Sequence, residues 1–185
     1  MPKQNRLYVF FGLIASGKST LAAAWAQRTG AIYFNSDRIR KELAGILPKN
    51  KAKDSFNQGI YTPEFSKKTY DELLKRAATN LAAKKPVVLD ASYQEREERQ
   101  KVRDLAKQCA CEVIFILCRC PEPLMKERMA IRSADPNAVS DGRWEIYLRQ
   151  REKFTLPDEL GPSQLISIDT NKPVHELLEQ LEKVL

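Results

Sequence analysis

A single histidine, His175, is all the imidazole this chain contains. That excludes a His-based catalytic triad and a His-rich metal site, and its place beside a helix start reads as surface. Cysteine is sparse too: four residues form two Cys-x-Cys pairs, Cys109 with Cys111 and Cys118 with Cys120. Zinc sites favour Cys-x-x-Cys spacing, so these read as buried or edge thiols in a reducing compartment. No apolar run approaches the roughly 18 residues of a membrane span, and no basic start leads into an apolar stretch as in a secretion signal. Repeats, low-complexity tracts and linkers are missing. The expectation is a cytoplasmic protein with no membrane partner, residues 1–185 forming one domain.

Basic side chains are in excess, 31 against 24 acidic, for a net charge of +7. Such a balance suits a protein that handles phosphates and equally an ordinary solvated surface. Short apolar runs without polar alternation recur at 7–11, 31–34, 86–89, 113–118 and 165–168. Strands buried on both faces have this look. Helical spacing fills 18–28, 37–43, 63–83, 96–107, 121–132, 143–154 and 174–184. The third of these starts at Thr62-Pro63-Glu64, an N-cap followed by proline, and its buried face is Tyr70, Leu73, Leu74, Ala77 and Leu81. Strand and helix alternate throughout, which predicts an α/β fold: a parallel sheet of about five strands flanked by helices, with ligands at the carboxyl ends of the strands. Residues 44–61 and 133–142 resist regular assignment and read as functional flaps or surface loops.

After the first strand, Gly12-Leu13-Ile14-Ala15-Ser16-Gly17-Lys18-Ser19-Thr20 matches GxxxxGK[ST] between a strand and a helix. The chemistry requires that pattern. Glycines let successive backbone N–H groups, including those of Ala15 and Ser16, turn inward on phosphates, and the following helix adds its positive end. Lys18 supplies a point charge to the outer phosphates, the Ser19 hydroxyl is placed for magnesium, and Thr20 for an inner phosphate. ATP with Mg2+ is the expected ligand pair, in a P-loop NTPase fold.

Asp90 ends the third strand, where a P-loop protein places the acid that holds magnesium through water. Its neighbour Ala91 is not glutamate, so the acidic pair with which many motor ATPases activate water is lacking. Near the C-terminus, Asn171-Lys172-Pro173-Val174 brushes against the Asn-Lys-x-Asp guanine signature, with Val174 in place of the aspartate. A switch GTPase is thereby disfavoured, and the loop reads as flanking adenine through its backbone.

Asp37 follows the second strand, a suitable place for a carboxylate that accepts the proton of a substrate hydroxyl. A bland alternative is that Ser36 or Asp37 caps the next helix. Arg128 and Arg132 lie four apart on one helix face and lead into a polar loop, so they can close over a triphosphate as a lid at about 128–145. Pairing with neighbours such as Glu127 is the competing role.

The set GLIASGKST, NSDRIRKEL, VVLDAS, RMAIR and IDT resembles the small predicted kinases of the P-loop superfamily called the AAA_33 group. It is also similar to the kinase domains of phage-type polynucleotide kinases and, more distantly, to zeta toxins and small-metabolite kinases. The resemblance implies a nucleotide-kinase-like fold with a helical lid. It further implies a general base at Asp37, a substrate-contacting Arg40 three residues on, and lid arginines at Arg128 and Arg132, Arg128 on the nucleotide and Arg132 in catalysis. The leading expectation is transfer of the terminal phosphoryl group of ATP to a hydroxyl of a small molecule. A polynucleotide 5'-hydroxyl kinase is the first alternative, for which Lys49, Lys51 and Lys53 could track a backbone and Tyr8, Tyr33, Phe56, Tyr61, Phe65 or Tyr93 could stack bases. An ATP-binding regulatory module with little turnover is the second.

Overall fold

The computed structural model describes residues 5–46, 59–134 and 144–185, with side chains described for all of these except 132–134. Its strands are β1 (Arg6–Phe11), β2 (Ile32–Asn35), β3 (Val87–Asp90), β4 (Glu112–Arg119) and β5 (Leu165–Asp169). They form one parallel sheet in the order β2-β3-β1-β4-β5. The chain runs from β1 out to β2 and back to β3, then crosses to β4 and β5. That reversal opens a crevice at the carboxyl end of β1.

Side chains alternate across the sheet, and each face meets its own helices. On one face Leu7, Val9, Phe11, Leu89 and Phe115 pack against α3 (Pro63–Ala82) and α4 (Arg96–Gln108) through Leu73, Ala77, Leu81 and Val102. The other face joins Tyr8, Phe10, Val88 and Ile116 to α1 (Lys18–Thr29) and α7 (Val174–Val184) through Leu21, Trp25, Leu177 and Leu181. Full burial of each such leucine contributes about 1.5–3 kcal/mol, which fixes both helix pairs on the sheet. A third cluster sits over the phosphate loop: Ile14 and Ala15 touch Met125 and Met129 of α5 (Glu122–Ala134) and Tyr147 of α6 (Trp144–Lys153).

Local signals act as expected at α3, where the Thr62 hydroxyl accepts from the Phe65 amide at 3.3 Å and proline occupies the first turn. His175 is exposed in the first turn of α7. Three expectations are corrected. Only β1 and β3 are buried along their full length; β2 and β5 are half-exposed because they form the sheet edges. Helix α5 runs on to Ala134, so the polar loop starts later than 133. The segment 44–61 ends in a 3-10 turn, Gly59–Tyr61. Lys49, Lys51, Lys53 and Phe56 lie outside the described residues, as does the part of the expected lid at 135–143. Among the described residues no helix is long and apolar enough to cross a membrane.

Candidate active site

Gly12 leaves β1 with φ of 137°, and a Cβ there would fall 2.5 Å from the backbone oxygen of Cys118. Gly17 closes the loop at φ of 82°, its missing Cβ leaving room for the Thr170 hydroxyl and the Arg128 guanidinium at 3.0 and 3.1 Å. Between them Ala15 is also left-handed, at 60°. Three distant segments clamp the loop. The Gly12 amide donates to the Ser92 carbonyl at 3.3 Å, the Ile14 amide to Gln150 Oε1 of α6 at 2.8 Å, and the Thr170 hydroxyl to the Ser16 carbonyl at 2.6 Å.

Helix α1 then begins at Lys18 with no side-chain cap and no acid in its first turn. Its own first turn therefore sets no side-chain anion against the amide ends and positive dipole, a condition that favours phosphate binding. Lys18 curls back on the loop, donating to the Leu13 carbonyl at 3.3 Å. Ser19 is half-buried beside it, whereas Thr20 is exposed.

Asp90 pairs in register with Phe10, two residues before Gly12, and is fully buried. Its Oδ2 accepts from the Tyr33 hydroxyl and from Asn35 Nδ2, both at 2.6 Å, while Oδ1 has no protein partner. Burial and the Asp90 carboxylate push the Tyr33 phenol well above its ordinary range, so it remains a donor. The Ser16 hydroxyl is likewise buried and unpartnered. Two orphaned oxygens, an uncapped helix end and a hydroxyl–carboxylate pair of hard donors fit a triphosphate with magnesium, which binds few protein oxygens directly.

Asp37 occupies the first turn of α2 (Ser36–Leu43) and, with Lys18, lines a cleft of about 340 Å³ at the carboxyl end of the sheet. The cap alternative is corrected: Asn35 caps α2, its side chain accepting from the Arg38 amide at 3.0 Å. Arg40 lines the same cleft but is largely buried, donating through Nη1 to the Ile60 carbonyl at 2.8 Å and Ser66 Oγ at 3.1 Å, with Tyr61 under its plane at 5.2 Å. Arg128 faces the underside of the phosphate loop, Nη2 donating to the Thr170 carbonyl at 2.7 Å and Nη1 to its hydroxyl at 3.2 Å. Arg132 lies in α5, its side chain outside the described residues.

Sequence reasoning missed Asn35, Thr170, Gln150 and Arg99. An asparagine at a strand-to-helix junction is a cap signal that could have exposed the first. Arg99 is fully buried and pairs with Glu159 at 2.6 Å while donating to the carbonyls of Tyr93 and Gln94 at 3.0 and 3.1 Å, which fixes the segment after β3. Burial pushes the Glu159 carboxyl up, but the Arg99 hydrogen bonds, a backbone hydrogen bond and the charges of Arg99 and Arg96 together outweigh it and leave it below its usual range. Of the stacking candidates, Tyr8 and Tyr93 are core residues and Tyr33 is held by Asp90. Cys118 is buried, and burial pushes its thiol up to about 12; Cys109, Cys111 and Cys120 are half-buried.

Among proteins of known sequence, the chain is 27% identical over 177 residues to the L-seryl-tRNA(Sec) kinase of Methanococcus maripaludis, covering 94% of this chain and 65% of that protein. It is 26% identical over 162 residues, 86% of its length, to an uncharacterized protein of Mycobacterium tuberculosis, and spans 32% of that relative's length. Two crystal structures share the fold. One is a candidate kinase from Chloroflexus aurantiacus, with TM-score 0.73, 18% identity, 99% of this chain and 100% of that one covered. The other is the Mycobacterium tuberculosis APS kinase CysC in complex with AMPPNP and APS, with TM-score 0.68, 17% identity, 99% and 98% covered. The fold is that of the P-loop kinases. With the family model described as AAA domain matching residues 7–157, from the first strand through the phosphate loop and cleft, the chain belongs to the AAA_33 family.

Proposed function

We propose that the chain is a cytoplasmic ATP- and magnesium-dependent phosphotransferase that moves the terminal phosphoryl group to a hydroxyl of a small-molecule acceptor. The observation that carries this reading is that Lys18 and Asp37 line one cleft. In this reading the cation faces the phosphates and the carboxylate faces the acceptor hydroxyl, and their sharing one cleft supports it.

In this reading the loop amides from Ala15 to Thr20 and Lys18 hold the phosphates, and Ser19 and Asp90 hold the metal. Magnesium, when bound with ATP, neutralises the charge of the phosphate chain. Asp37 accepts the proton as the acceptor oxygen forms its bond to phosphorus, and the bond to the bridging oxygen breaks to leave ADP. Arg128, tied to Thr170, keeps the loop in its binding shape beside the nucleotide, and Arg132 neutralises charge on the moving group from the lid. Arg40 shapes the acceptor end.

The test measures phosphate transfer from ATP to defined hydroxyl-bearing metabolites and to oligonucleotides, with a no-acceptor control for hydrolysis. Lys18→Ala should abolish transfer with an unchanged circular dichroism spectrum; retained turnover defeats the reading. Nucleotide binding without turnover on any acceptor would favour the regulatory module instead. A second reading places the hydroxyl on RNA, supported by the 27% identity to an L-seryl-tRNA(Sec) kinase over 94% of this chain. Salt separates the two: an RNA-borne acceptor loses affinity with a log–log slope of about 0.7 per neutralised phosphate on single strands, and a small neutral acceptor does not.

A further inference from the structure

Buried polar atoms in folded proteins nearly all find partners, so the exceptions are informative. Among the described residues nine buried side-chain nitrogens and oxygens have none, and four of these belong to residues lining the one cleft: Arg40 Nε, Tyr93 OH, Gln94 Oε1 and Glu98 Oε2. The Tyr93 side chain is only 1% exposed.

These atoms are not loose. Arg40 is locked by Ile60, Ser66 and the Tyr61 ring, which leaves its buried Nε without a partner. Tyr93 sits at φ of 39°, edge-on to Tyr70 at 5.2 Å, and the buried Arg99 grips the carbonyls of Tyr93 and Gln94. Thr155 adds its amide to the Gln94 carbonyl at 3.0 Å. The carbonyls of Tyr93 and Gln94 are therefore engaged while the side-chain tips are unmatched, the arrangement of a preorganised ligand site.

We propose that Arg40, Tyr93, Gln94 and Glu98 form an acceptor subsite for a compact neutral polyol, a sugar or sugar alcohol with adjacent hydroxyls. The inference rests on the cleft being the acceptor site of the phosphotransferase proposed above. Of the orphans, Arg40 Nε only donates, Gln94 Oε1 only accepts, and the Tyr93 hydroxyl can do either. A hydroxyl both donates and accepts, so neighbouring hydroxyls can satisfy the mixed set. An ammonium only donates and would leave Arg40 Nε unmet; a carboxylate or fully ionised phosphate only accepts and would leave Gln94 Oε1 unmet. Burial, together with the nearby Glu95 charge, pushes the Glu98 carboxyl up to about 7, so near neutrality it exists in both donating and accepting forms. Asp37 and Arg40 are three apart on α2, about 4.5 Å along its axis, a spacing that sets one hydroxyl at the base while another is held alongside.

Binding without nucleotide tests this apart from catalysis. Saturation-transfer NMR is run with glycerol, D-ribose, D-glucose and myo-inositol, against ethanolamine, choline and inorganic phosphate. At least one neutral polyol should bind saturably, and bind about tenfold more weakly to Tyr93→Phe and to Glu98→Ala, the loss of one hydrogen bond each. ATP affinity, measured on the same variants, should be unchanged and shows that they are folded. Binding of an amine or of phosphate in preference to every polyol, or no binding of any polyol, overturns the subsite. So does an acceptor whose KM is untouched by Tyr93→Phe, although the phosphotransferase reading then stands. Polyol binding that Tyr93→Phe weakens, with no transfer from ATP, supports the subsite and removes the kinase instead.

Discussion

Asn35 holds Asp90 through its amide nitrogen, at 2.6 Å, and with its other end caps the helix that carries Asp37. One neutral side chain thereby couples the proposed metal-holding acid to the proposed base. Tyr33 arrives at the same Asp90 oxygen from the same strand, so the opposite oxygen is the one left for a ligand.

Replacing Asn35 should act on both ends. Asn35→Ala loses the cap and one Asp90 hydrogen bond, about 1–3 kcal/mol of stability together, and weakens ATP binding more in the presence of magnesium than in its absence. Asn35→Asp keeps the cap but sets a carboxylate against Asp90, so its urea midpoint should also fall. Midpoints and nucleotide affinities equal to those of the wild type would show that the coupling carries no energy.

Asp37→Asn should separate catalysis from capping. With Asn35 as the cap, the variant loses a first-turn charge worth up to about 1 kcal/mol. Transfer should nevertheless drop by about a hundred- to ten-thousand-fold, the worth of a positioned base, with ATP affinity retained. Turnover within about threefold of wild type would remove Asp37 from the chemistry.

The two loop glycines should differ in sensitivity. At Gly12 an added Cβ meets a backbone oxygen at 2.5 Å, which cannot swing aside; at Gly17 it meets side-chain atoms of Thr170 and Arg128 at 3.0 to 3.1 Å, which can shift. Both backbones are left-handed. Gly12→Ala is expected to cost about 2–4 kcal/mol and Gly17→Ala about 1–3 kcal/mol, read from chemical denaturation. Gly17→Ala should still weaken nucleotide binding because Arg128 must move. The opposite order of stabilities would contradict this geometry.

Glu98 makes stability depend on pH in a definite direction. Burial foremost, then the Glu95 charge, raises its carboxyl to about 7 from 4.5, against smaller opposing effects of a backbone hydrogen bond at Glu95 and the charges of Lys101 and Arg99. The folded chain therefore binds the proton more tightly than the unfolded one. That contribution is fully present below the unfolded value and is lost as pH rises through about 7, by up to about 3 kcal/mol. Between about pH 5 and pH 8 the denaturation midpoint of wild type should fall further than that of Glu98→Gln. Parallel pH profiles of the two proteins would refute the shift.

Much of this was legible in local pattern. The glycine spacing of 12–20, the Thr62-Pro63 helix start and the alternation of apolar runs with helical stretches each act over a few residues, and each appears where expected. What escaped depends on strand order. That β2 lies outside β3 is not written in the run at 31–34, so its half-exposure and the place of Asn35 at its end beside Asp90 could not be read. Gln150 reaches Ile14 across 136 positions, and Arg99 meets Glu159 across 60. No periodicity spans such distances, and an isolated Gln or Arg looks like solvated surface until the fold brings its partner.

The hydrogen bond from Thr170 to Ser16 closes the phosphate cradle across 154 positions of chain. During synthesis the glycine-rich loop emerges well before the residue that clamps it. A chain translated only through β4 thus displays the motif without the clamp, and an ATP analogue should select chains that include Thr170 over those that stop short of it. On the proposed reading, nucleotide in the cell would act as a folding ligand, stabilising the chain only once β5 has docked, by an amount set by its concentration relative to its dissociation constant.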